Sequence, residues 1–373
     1  MMYFDNCATT RAFDSSVKVA EHFFSQSYMN SSAPYALALE NDKHLIQCRE
    51  VIARSIGAGG DEIYFTSGGT ESNNTVIFGA LCKERNKIII SATEHPSVYE
   101  AALRAQKNGA ELVILPVDNN GVVSQEELAN ALDERCAIVS IMHVNNETGT
   151  INPIERLAEI THQIAPKCIF HSDGVQAHLR VKINVKTSKI DAYSISGHKI
   201  HATKGIGALY VSSKVKIEPL FYGGGQQNGF RSGTVNLPAI AAYADAVENY
   251  GEDTVGRIMQ IKEVFINKLQ NCVFNSVGAD TAPHVLSVAF PDIQASTLQN
   301  ALEGEGVIVG KGSACSSRSS RVSRVLQSMN IPRKNAEGTI RIGIGAFNTV
   351  QEANDACEII NAVSGRLMRF KRK

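Results

Sequence analysis

The chain has 373 residues, 43% of them hydrophobic and 20% charged, which suits a large soluble core and, by length, about two domains. Lysine plus arginine and aspartate plus glutamate stand at 37 each, so the bulk basic field that nucleic-acid binding needs is missing. There is no run of about 18 apolar residues, and MMYFDNCATT lacks a basic stretch ahead of an apolar one, so neither a membrane span nor a signal peptide is expected and a cytoplasmic protein is.

From residue 50 to 250, apolar β-rich runs alternate with helical patterns. Strands are predicted at EIYFTS (62–67), KIIIS (87–91), ELVILPV (111–117), AIVSIMHV (137–144), CIFHSD (168–173), DAYSIS (191–196) and GALYVS (207–212). Helices are predicted at 44–56, 71–84, 97–108, 124–132 and 154–165. Near-continuous apolar strands separated by helices predict an α/β fold with a parallel sheet covered on both faces, its ligands at the carboxyl ends of the strands. Residues 238–271 read as long helical material. Beyond 272 the pattern changes to a smaller α+β unit, with strands at 284–290, 306–310 and 339–345 and helices at 296–304, 320–329 and 350–363. The last eight residues, RLMRFKRK, carry five basic side chains; they read as a solvated tail or as a contact for an acidic partner or RNA.

The eight cysteines are scattered, with no C-x-x-C pair. They predict reduced thiols and small buried hydrophobes, not a disulfide framework or a zinc site. Cys315 departs from this, because VGKGSACSSRSS (309–320) surrounds it with glycine, serine and arginine. In FTSGGTESNN (65–74) a strand runs through glycines into a helix start that includes Gly69 and Thr70. That arrangement suits a phosphate, and equally a plain helix cap made by Thr70. In HSDGVQAH (171–178), Asp173 ends a strand and Gln176 follows on the turn; the aspartate can pair with a protonated ring nitrogen or cap the next turn. In SISGHKIHATKG (194–205), Lys199 follows a strand end among Ser196, Gly197 and His198. A desolvated lysine there becomes nucleophilic, whereas most lysines are simply exposed. His198 and His201 lack a nearby third ligand for a metal.

Taken together and in order, these motifs resemble the pyridoxal-phosphate-dependent cysteine desulfurase family of the class-V aminotransferase group. The resemblance runs from FDNCATT (4–10) through TSGGTESNN, EHPSV (94–98), MHVNNETG (142–149), HSDGVQ, SGHKI, GGGQQNGFRSGT (223–234) and GSACSS (312–317) to IRIGIGAFNT (340–349). It implies a fold-type-I architecture, with a mainly parallel seven-stranded sheet in a large domain (13–255) and a small α+β domain (1–12 and 256–373) carrying the catalytic cysteine loop. It makes Lys199 the Schiff-base lysine, Asp173 the partner of the pyridinium nitrogen, Gln176 a donor to the ring hydroxyl, and His95 the residue stacked on the ring. Gly69, Thr70, Ser196 and His198 fall to the phosphate, with Thr234 reaching it across a homodimer interface. Asn146 and Arg341 fall near the substrate carboxylate, and Cys315 is the persulfide cysteine, its thiolate favoured by Arg318 and Arg321.

The implied reaction converts L-cysteine to alanine and passes sulfur to an acceptor, an iron–sulfur scaffold or a tRNA-thiolation enzyme. A selenocysteine lyase, or another class-V lyase acting on a related amino acid, is the alternative within enzymes, and a degenerate scaffold subunit would keep the fold alone. Ala202-Thr203, NSSAP (30–34), Ala346 and Arg321-Val322 depart from the usual family pattern without removing a site residue.

Overall fold

Near-continuous apolar runs build the central sheet. In the computed structural model, which describes residues 1–276, 279–312 and 322–371, the strands are β1 (Met2–Phe4), β2 (Ile63–Thr66), β3 (Lys87–Ser91), β4 (Glu111–Leu115), β5 (Cys136–Ser140), β6 (Ile169–Asp173), β7 (Ala192–Ser196), β8 (Gly207–Val211), β9 (Val273–Phe274), β10 (Val285–Ala289), β11 (Val307–Val309) and β12 (Thr339–Gly343). Seven of them form one sheet in the order β2-β8-β7-β6-β5-β3-β4. Successive side chains point to opposite faces of a strand. Ile89, Val139, Phe170 and Tyr193 accordingly enter one core, and Ile88, Ile138, Ile169 and Ala192 enter a second on the other face. Helices Gly69–Gly79 and Pro96–Lys107 cover the second face with Val76, Ile77, Val98 and Ala102. A sheet apolar on both sides is what the continuous strand runs predict.

The sheet has seven strands and is mainly parallel, as expected; its one antiparallel member is β8, which runs against both of its neighbours, β7 and β2. Only residues 197–206 join β7 to β8, and a parallel return requires a crossover of a dozen or more residues. The remaining pairs in this sheet are parallel.

Several helix limits also differ. The helix predicted at 44–56 is Ala36–Arg54, and the one at 71–84 is Gly69–Gly79. The long helical stretch is two helices, Leu237–Asn249 and Glu252–Lys268. The unforeseen helix Asp14–Ser25 buries Ser16, Ala20 and Phe23. Its inward stripe includes a serine, and Ser15 and Ser16 both donate to Asp245 Oδ2 (2.8 and 2.7 Å). The chain start belongs with the chain end, since β1 pairs in parallel with β11, and β9, β10 and β12 form a three-stranded antiparallel sheet. No helix among the described residues is long and apolar enough to cross a membrane.

Candidate active site

Strand ends place the polar groups. Asp173 closes β6, Ser196 closes β7, and a single tight turn, Gly197–Lys199, then delivers the lysine. Gly68 stands between β2 and helix Gly69–Gly79 with φ 151°, a conformation that side-chain-bearing residues rarely adopt. These ends meet in a cavity of about 270 Å³. Of the residues singled out in the sequence, Gly69, Thr70, His95, Asn146, Asp173, Gln176, Ser196, His198, Lys199 and Arg341 line it. Thr234 does not line the cavity of its own chain and is exposed. Cys315, Arg318 and Arg321 lie outside the described residues. Ala202, Thr203 and Ala346 do not line the cavity either; the Ala346 N–H donates to His201 Nε2 (3.0 Å), while His201 Nδ1 bonds to the Arg11 carbonyl (2.7 Å).

Lys199 Nζ donates to the carbonyls of Cys7 and Ala8, both at 2.7 Å. These acceptors favour the ammonium, but burial and then the charge of Arg341 outweigh them and lower the pKa to about 8. Asp173 is buried with both oxygens engaged: Asn73 Nδ2 donates to Oδ2 (2.7 Å) and the Val175 N–H to Oδ1 (3.0 Å). His95 caps helix Pro96–Lys107, its Nδ1 accepting from the Ser97 N–H (3.1 Å). That bond assigns the ring proton to Nε2, and burial holds the imidazole below its ordinary pKa. Gln176 Nε2 donates to the Cys7 carbonyl (3.0 Å), and its Oε1 faces His284 Nε2 (2.9 Å).

Arg341 is 3% exposed; Nη2 donates to Asp5 Oδ1 (2.6 Å) and Nη1 to the Asn146 carbonyl (2.9 Å). Where the described chain resumes at 322, Ser323 Oγ donates to the buried Glu147 (2.5 Å), and Arg324 lies over the Tyr99 ring and donates to the Ala92 and Glu94 carbonyls. Asp5, Cys7, Ala8, Asn73 and Glu147 carried no assigned role in the sequence reading. FDNC was legible only as part of a motif, and nothing local ties it to residues 199 or 341.

The donor set suits a phosphorylated aromatic cofactor. Ser196 Oγ is buried at the cavity wall with no partner among the described residues, and an unpaired buried hydroxyl is costly. Beside it the helix starting at Gly69 has no side-chain cap; its N-cap position is Gly68, so Thr70 is not the cap. Uncapped N–H groups at a helix start attract an anion. The carboxylate of Asp173 and the amine of Lys199 then meet the needs of a pyridinium nitrogen and an aldehyde.

Residues 2–355 match the model of the class-V aminotransferases. Cysteine desulfurase IscS of Dictyoglomus turgidum is 35% identical over 98% of this chain and 95% of that protein. The chain belongs to the class-V aminotransferase family, in its cysteine desulfurase branch. A NifS/IcsS protein homolog of Lactobacillus delbrueckii subsp. bulgaricus is 38% identical over 95% of each chain. Among solved structures, a NifS-like protein superimposes with a TM-score of 0.91 at 33% identity, covering 98% of this chain and 99% of that one. SspA in complex with cysteine superimposes with a TM-score of 0.85 at 30% identity, covering 94% of this chain and all of the other. For a member of this family, the lowered Lys199 pKa has a direct test. Only the neutral amine reacts with an acylating reagent, so trace acetylation of Lys199, followed by peptide mass spectrometry, will rise through about pH 8 and level off above it. A rise delayed to the ordinary lysine range, about 10.4, would refute the buried-amine geometry.

Proposed function

We propose that this chain is a cysteine desulfurase that uses pyridoxal phosphate, takes sulfur from L-cysteine and releases L-alanine. The observation that carries the reading is the convergence of Lys199, Asp173, Arg341 and the unpartnered Ser196 hydroxyl on one cavity. Pyridoxal phosphate, when bound, supplies an electron sink for the negative charge that develops at the substrate Cα. Ser196, Thr70, His198 and the helix start at Gly69 hold its phosphate, Asp173 its ring nitrogen, Gln176 its ring hydroxyl, and His95 its face. Arg341, with Asn146 beside it, takes the substrate carboxylate through a charge-assisted fork. Lys199 moves the Cα proton, a task for which an amine titrating near the working pH is suited.

The thiolate of Cys315 attacks the substrate sulfur. The S–S bond forms as the C–S bond breaks, the carbon side receives a proton and leaves as alanine, and Cys315 keeps the sulfur as a persulfide. Residues 13–255 form the cofactor-holding domain, with 1–12 and 256–373 as the smaller one. The enzyme works in the cytoplasm as a homodimer, Thr234 completing the partner's phosphate site. It hands sulfur to an iron–sulfur scaffold or a tRNA-thiolation enzyme.

A single-turnover assay with pyridoxal phosphate and L-cysteine, without reductant, tests this. Wild type will release alanine and gain the mass of one sulfur atom, and Cys315→Ala will show no gain and negligible alanine. Alanine release by Cys315→Ala at the wild-type rate would remove the persulfide step.

A further inference from the structure

One tight turn serves both charged ends of the cavity. Residues 5–8 are closed by the Ala8 N–H donating to the Asp5 carbonyl (2.9 Å). The Cys7 and Ala8 carbonyls of this turn take Lys199, and the Asp5 carboxylate takes Arg341 at 2.6 Å. Asp5 and the Asn146 carbonyl use two of the five guanidinium N–H groups. The Arg341 Nε–H is fully buried and has no partner among the described residues. Gly310 leaves the room for this pair. It exchanges backbone hydrogen bonds with Arg341 (2.8 and 2.9 Å), and a Cβ on it would lie 2.4 Å from Asp5 Oδ1 and 2.9 Å from Arg341 Nη2.

An arginine side chain loses considerable rotamer freedom when fixed. Here two acceptors from separate parts of the chain hold it, one on each Nη, and the second N–H of each Nη is left for a carboxylate. We infer that Asp5 is a positioning residue for the substrate carboxylate: it fixes the plane of the Arg341 guanidinium so that these remaining Nη N–H groups are presented to the amino acid. This rests on the desulfurase reading above. Electrostatics alone predicts the opposite of positioning, because an anion beside Arg341 competes with the substrate's negative charge. The two views therefore differ in sign.

The test compares holoenzyme kinetics on L-cysteine and on L-cysteinamide, which lacks the carboxylate charge. Asp5→Ala will raise KM for L-cysteine about tenfold with kcat within about threefold, and will leave KM for L-cysteinamide within about twofold. Asp5→Asn keeps the acceptor oxygen and will recover most of the loss. Gly310→Ala, which pushes a methyl group into the pair, will follow Asp5→Ala. An unchanged or lowered KM for L-cysteine in Asp5→Ala overturns the inference, as does an equal loss on both substrates. Should Asp5→Ala fail to fold, Asp5→Asn and Gly310→Ala decide by the same comparison. A wild type inactive on L-cysteine overturns the desulfurase reading and this inference with it, whereas an active wild type matched by its Asp5 variants overturns the inference alone.

Discussion

Lys199→Ala will lower turnover on L-cysteine by about four orders of magnitude, the upper range for removal of a positioned general acid–base. Two functions leave with one amine. On the proposed reading the covalent anchor of the cofactor is lost, and so is the amine proposed to carry the Cα proton, Lys199 being the one lysine among the described residues that line the cavity. The fold will survive, because among the described residues Nζ bonds to the Cys7 and Ala8 carbonyls alone, and in an open cavity water replaces it at those acceptors. Borohydride reduction of the wild type with bound pyridoxal phosphate will fix the cofactor on the peptide containing Lys199. The variant will show no such adduct, and its circular dichroism will be unchanged. Retention of a tenth of wild-type activity would sink the assignment.

Asp173→Asn carries the second large effect, a loss of about 10²–10³ in kcat. Both carboxylate oxygens accept from fixed donors, Asn73 Nδ2 and the Val175 N–H. An asparagine has only one oxygen, so one of those donors would face an NH₂ group, and the negative charge proposed to hold a ring nitrogen protonated is gone. Asn73→Ala removes a single donor and leaves the charge, so it will cost only about tenfold, the scale of one hydrogen bond to a charged group. Stopped-flow measurement of alanine formation at saturating cofactor separates the two. Equal losses in both variants would show that orientation, and not charge, is what Asp173 supplies.

The antiparallel course of β8 shows what a sequence does and does not specify. Its apolar run and the short connection from β7 were both readable, yet the run alone cannot say in which direction the strand pairs. The helix at Asp14–Ser25 shows a second limit. Ser15 and Ser16 bond to Asp245, some 230 residues away in sequence, a contact that no local pattern announces. The candidate site divides in the same way. Lys199, Asp173 and the glycine–threonine helix start stand out, because each sits at a recognisable strand end whose position follows from local pattern. Asn73 does not, since an asparagine inside a helix has many uses, and only the approach of β6 makes it the clamp on Asp173.

By itself the sequence determined the alternation of strands and helices, the two-faced core and the order of the reactive side chains. These follow from side-chain periodicity and backbone preference over a few residues. Only the tertiary structure decided that Cys7 and Ala8 line the cavity and that Asp5 meets Arg341. The bonds concerned join positions 192 and 336 residues apart, Cys7 to Lys199 and Asp5 to Arg341. Such pairings depend on how β1 docks beside β11 and how the turn that follows meets β12. That docking is set by the packing of the whole core, and no local pattern along the chain encodes it.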